Sequence, residues 1–133
     1  MRLFLTVAII LVVASSAMAD RTAVTVTTAP GPAMTDGAAI TKTSADELNG
    51  LEFTITGDSR ELLFVNNPTG GSLNVSISSV ADDLGRTGDI EDDAIAGGAC
   101  HVYGRFNIEG WSNGGKVQFS MDDGLKAWVI KLD

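Results

Sequence analysis

The chain has 133 residues, with 9 basic side chains against 17 acidic ones, one histidine and one cysteine. Its formal charge of −8 excludes a nucleic-acid interface and an anionic-membrane surface, because no basic stripe is present to displace phosphate counterions. It keeps the protein soluble and selects cations or basic surfaces as charged partners. A lone cysteine excludes an internal disulfide, and one His with one Cys falls short of a zinc ligand set.

Residues 1–19 (MRLFLTVAIILVVASSAMA) read as a cleaved signal peptide: Arg2, then an apolar stretch from Leu3 to Val13, then the small-x-small site Ala17-Met18-Ala19. The apolar stretch is short for a spanning helix, which needs about 20 residues; an uncleaved anchor is the alternative. Cleavage leaves 114 residues with a charge of −9, one domain's worth of chain. Residues 20–43 are expected to form an extended N-terminal arm and the first strand or strands. Residues 20–28 (DRTAVTVTT) are rich in β-branched side chains, and the following APGPAMTDG carries Pro30 and Pro32 and is no helix.

Residues 44–133 are expected to form a β-sandwich domain. Ser44 and Glu47 have capping-box spacing, predicting one helical turn closed by Asn49-Gly50. Strands follow at LEFTIT (51–56), ELLFVNN (61–67), whose continuous apolar centre suits an interior strand, and SLNVSISSV (72–80). A further strand is predicted over 101–108, then a turn-rich EGWSNGGK, then strands KVQFSMD (116–122) and LKAWVIKL (125–132). The fold class is all-β: a single β-sandwich or jelly-roll-like barrel of about six to eight antiparallel strands behind the signal peptide.

Residues 81–99 (ADDLGRTGDIEDDAIAGGA) hold six carboxylates, one arginine and four glycines. No EF-hand or P-loop pattern occurs. Asp89, Glu91 and Asp93 alternate, so on an extended chain they share a side that faces either a Ca²⁺ ion or water. The preferred reading is a solvated, shaped crossover without a cofactor. Arg86 pairs with a carboxylate and locks the loop, with Asp89 in the locking set, while Gly85 and Gly88 let it turn. Cys100 and His101 are neighbours and point to opposite faces of a strand, and neither G-x-S-x-G nor H-E-x-x-H occurs, so the chain reads as a non-enzyme, with a dispersed Ser/His/Asp set as the alternative. Cys100 is expected as a small buried residue and Trp128 as core. Trp111, among turn residues, is either a partner anchor or a ring folded over the end of the domain. Asn74-Val75-Ser76 matches a glycosylation sequon, but in mid-strand.

Several short motifs recur in a familiar order over residues 46–132: RELLFVNN, GGSLNVSISS, DDLGRTGDI, GGAC, YGRF, GWSNGGKV and GLKAWVIKL. Their order and spacing resemble small proteins of the structural gene clusters of tailed bacteriophages. The resemblance implies a non-enzymatic virion component, a head decoration or cement protein of β-sandwich type. Such a protein sits on the virion surface as a homo-oligomer bound to a lattice of capsid subunits. In that role the arm with Pro30 and Pro32 reaches over a neighbour, and Trp111 is a further contact. The leader departs from this pattern, since virion proteins assemble without export. It sustains an alternative: an exported β-sandwich binding module for a cell-surface, glycan or Ca²⁺ ligand.

Overall fold

The computed structural model describes residues 20–29 and 39–133. The signal-peptide reading of residues 1–19 and the arm prolines Pro30 and Pro32 lie outside the described residues. Among those described, strands are the dominant element, arranged as two mixed sheets of five strands each, with one helical turn. The all-β class stands.

The first sheet runs in the order β1 (Thr22–Ala23), β4 (Leu51–Thr54), β9 (Lys116–Met121), β6 (Leu73–Ser78), β7 (Ile90–Ile95). The second runs β2 (Val26–Thr28), β10 (Lys126–Lys131), β5 (Glu61–Asn66), β8 (Cys100–Tyr103), and β3 (Thr43–Ser44) also pairs with β10. Most pairs are antiparallel, but β1 lies parallel to β4 and β2 parallel to β10, so the expectation of six to eight antiparallel strands is corrected to ten strands among the described residues, with two of the pairings parallel.

The correction has a simple physical source. Residues 20–29 form one extended segment that serves both sheets. Thr22 N donates to Gly50 O and Val24 N to Glu52 O on the first sheet, while Ala29 N donates to Lys131 O on the second. Val24, at the crossing, is buried in the core. β3 spans residues 43 and 44, and residues 20–29 carry β1, β2 and the buried Val24.

Inward-facing residues of both sheets form one core: Leu51, Phe53, Val75, Ile77, Ile95, Val117, Phe119 and Met121 from the first, Leu63, Val65, Ala127 and Val129 from the second. Alternation explains this directly, because β9 reads in-out-in from Val117 and β5 reads in-out-in from Glu61. Phe53 meets Phe119 and Phe106 edge-on at 6.2 and 5.4 Å.

Three local predictions are corrected. The turn at residues 47–49 is capped by Asp46, whose Oδ1 accepts from Asn49 N, while Ser44 lies in β3. The long crossover over 81–99 contains β7. The predicted strand over 101–108 stops at Tyr103, and Asn107 caps a single turn, α1 (Ile108–Trp111), by accepting from Gly110 N.

Candidate functional site

The two sheets are joined differently along their two sides. On one side the segment 20–29 hydrogen-bonds both sheets through its backbone. On the other, the edge strands β7 and β8 face each other, and side chains make the connection. β7 carries a bulge: Val75 pairs with Asp93 and Ile77 with Ile90, so Glu91 and Asp92 together oppose Ser76. Asp92 sits at φ 49°, and its N–H donates to Ser76 Oγ.

The extra residue flips the phase of the strand. Asp93 turns inward with Ile90 and Ile95, while Glu91 stays outward and exposed. There Asp93 meets the inward residues of β8. The Tyr103 hydroxyl donates to Asp93 Oδ2 at 2.5 Å, and His101 Nδ1 stands 2.9 Å from the same oxygen. These two donors hold the Asp93 carboxyl below its ordinary pKa, Tyr103 contributing most and His101 next. Burial, and then the Asp93 carboxylate, push the Tyr103 phenol far above its ordinary range. Among the described residues no serine, threonine or cysteine side chain bonds the imidazole. The cluster's work is to tie β7 to β8.

The bulge also settles the geometry of the proposed calcium set. Asp89 lies below the strand start, its Oδ1 accepting from Ser79 N at 2.6 Å and Ser79 Oγ at 2.8 Å. With Glu91 outward and Asp93 between the sheets, the three carboxylates do not share a side, contrary to the alternation read from the sequence. Among the described residues no group of three or more His, Cys, Asp or Glu is arranged to hold a metal ion.

The loop before β7 is shaped by its own acids. Asp82 Oδ1 accepts from the backbone N–H of Leu84 and of Arg86, both at 2.9 Å, and Asp82 Oδ2 receives Arg86 Nε and Nη2 at 2.8 and 2.7 Å. Gly85 turns the chain at φ 76°. Gly88 donates its N–H to Ser79 Oγ, closing the base beside Asp89. The Arg86–Asp82 pair lies on the outside of the loop, where both side chains are exposed. Leu84, at the tip, is 76% exposed.

Trp111 ends α1, half-buried, edge-on to Phe106 at 5.5 Å. It lines a hollow beside the loop together with Val80, Asp82 and Arg86. It also borders a cleft of about 200 Å³ lined by Ile90, Val102, Tyr103, Arg105 and Phe106. Trp128 is not core. Ala127 and Val129 take the inward positions of β10, so Trp128 stands on the outer face, stacked on Phe64 at 5.4 Å with Lys42 Nζ 4.9 Å from its ring centroid. Cys100 is likewise exposed rather than buried, because Val65 opposes His101 and fixes that residue, not Cys100, as the inward one.

Sequence reasoning missed three residues that matter here. Asn67 is fully buried and fully bonded: Nδ2 donates to Gly71 O and Ile95 O at 2.7 and 2.8 Å, and Oδ1 accepts from Thr69 N and Oγ1. It fixes the corner where the chain passes from β7 to β8, and a Cβ on Gly97 would lie 2.7 Å from Thr69 O there. Glu61 is fully buried; its Oε1 accepts from Thr56 N and Oγ1 while Oε2 has no partner. Tyr103 is the chain's one tyrosine; its place two residues after His101 in a predicted strand, and so on the same face, was the available signal.

No family model, curated protein or solved structure matches this chain.

Proposed function

We propose that the two sheets form a β-sandwich and that the protein is a non-enzymatic, self-associating structural component, of the kind the motif order resembles, docking onto a protein lattice such as a capsid. Its place is then the virion surface. Where the leader acts, the same body is exported and meets a cell-surface partner instead.

One observation carries this reading: the two outer faces differ in kind. The first sheet presents Asn74, Ser76, Ser78, Gln118 and Ser120, a surface suited to water. The second presents Trp128, Phe64 and Val102 in one cross-strand row, with Ile130 and Leu62 in the next. Val102 is 53% exposed, and the other four are half-buried. This is why ELLFVNN reads as a continuous apolar run: Leu62 and Phe64 are outward, Leu63 and Val65 inward. A contiguous apolar sheet face is a protein-binding surface in a soluble molecule. Its aromatic members are the residue types that dominate interface energetics.

The test is sedimentation velocity of the purified protein over a wide concentration range, and co-sedimentation with capsids lacking it, alongside a Trp128→Lys variant. The variant keeps the fold, because the ring lies outside the core, and loses the co-sedimentation with capsids that this face provides. A parent that stays monomeric and binds no capsid overturns the reading.

A further inference from the structure

We propose that the acidic loop of one copy inserts Leu84 into the Trp111–Arg105 cleft of a second copy, reciprocally, making a two-fold dimer. The proposal rests on the self-association reading and gives it an interface that adjoins the Trp128 face at Val102.

The loop is built to present its tip. Both Asp82 oxygens are spent on holding it: Oδ1 on the Leu84 and Arg86 amides, Oδ2 on the Arg86 guanidinium. Gly85 N donates to Asp82 O, and Asp82 N to Arg86 O. Asp89 and Ser79 close the base. A large aliphatic side chain stands at the end of this frame, 76% exposed. A tip already ordered in the free protein loses little conformational freedom on docking.

The cleft complements it. Its walls are Ile90, Val102, Tyr103, Phe106 and Trp111, and its volume is about 200 Å³. An apolar cavity of about 150 Å³ accepts benzene, so a leucine side chain fits. The cleft's one charge is Arg105, which makes no ion pair among the described residues. The tip's flanking charge is Asp83, exposed and likewise unpaired among them. Leucine into the apolar walls and Asp83 onto Arg105 is a match in both shape and sign, in a molecule whose net charge otherwise opposes self-contact.

Placement supplies the symmetry. Trp111 lines both the hollow beside the loop and the cleft. Knob and hole therefore share one end of the molecule, and each copy can give and receive at once. That is the self-complementary patch of an isologous dimer, which closes instead of growing into a fibre.

Charge exchange tests this in solution. Sedimentation velocity is run on the full chain, on Asp83→Arg, on Arg105→Asp, on Leu84→Asp and on an equimolar mixture of the first two variants. Each charge variant alone sets like charges against each other at both contacts. Its dimer Kd is expected to rise by about tenfold or more, the scale of a lost close charge pair. In the mixture, the heterodimer has one native pair and one exchanged pair and regains the parent's Kd. Leu84→Asp dimerises no better than the single charge variants. All substitutions are at exposed positions, and circular dichroism with melting confirms the fold of each. Charge variants that associate like the parent, or a mixture no tighter than its components, overturn the interface while leaving self-association in place. A parent that is monomeric at every concentration overturns both.

Discussion

Replacing Asp93 by asparagine removes the charge that joins β7 to β8 and keeps the side chain's shape. The carboxylate takes the Tyr103 hydroxyl and His101 Nδ1 on one oxygen. A hydrogen bond to a charged group contributes about 1.5–3 kcal/mol when buried. Here the Asp93 and His101 side chains are 39% and 38% exposed, and solvent screening brings the two contacts together to about 1–1.5 kcal/mol. Since the folded-state pKa of Asp93 is lowered, its contribution is present above the unfolded value of about 3.9 and lost as pH falls through the folded one. Urea unfolding of Asp93→Asn at neutral pH should therefore show a loss of about 1–1.5 kcal/mol, shrinking toward zero as parent and variant are compared at successively lower pH below about 4. Tyr103 gives a second readout, because it is the chain's one tyrosine and its absorbance titration is unambiguous. Tyrosinate should appear only well above the ordinary value of about 10 in the parent, and at lower pH in the variant, since the Asp93 charge contributes to the upward shift. An equal loss of stability at neutral and acid pH would refute the argument that charge, rather than shape, closes this edge.

Asn67→Ala removes two donor and two acceptor contacts from a fully buried position. With Gly71 O and Ile95 O left short of partners, the expected cost is about 3 kcal/mol by denaturant unfolding; a cost within surface-substitution range, under about 0.5 kcal/mol, would mean the corner is held by something else. Calcium at millimolar concentration is expected to leave the melting temperature unchanged, because the bulge separates Glu91 from Asp93 and Asp89 is engaged by Ser79; a ligand bound only by the native state raises it, so a clear rise would restore the metal reading.

The fold was legible wherever the side-chain period was undisturbed. β4, β6 and β9 fall where their alternation put them, because a strand with one buried face carries its register in its own sequence, and β5 and β10 fall on their apolar runs. What stayed hidden were elements whose identity depends on a distant partner. β1, β2 and β3 are two or three residues long and exist because β4 and β10 offer them an edge. Trp128 was misplaced for a related reason. Its strand has apolar residues on both faces, so periodicity alone left open which face was inside; the small Ala127 takes the inward position, and the larger ring faces out.

The candidate site shows how much one residue decides. Without the bulge, Asp89, Glu91 and Asp93 would keep the strict two-residue period and line one side of an exposed edge, as a cation site requires. With Glu91 and Asp92 both set against Ser76, the period slips by one, and Asp93 is delivered to Tyr103 and His101 instead. IEDDAI does not announce this: aspartate tolerates positive φ better than most residues, but the segment offers two in succession and its alternation marks neither as the extra one. The same slip joins the two halves of the molecule. It lets Ile90 stay inward at the rim of the Trp111 cleft while a carboxylate turns toward the opposing sheet, so the cleft and the contact closing the sheets both depend on one irregularity in β7.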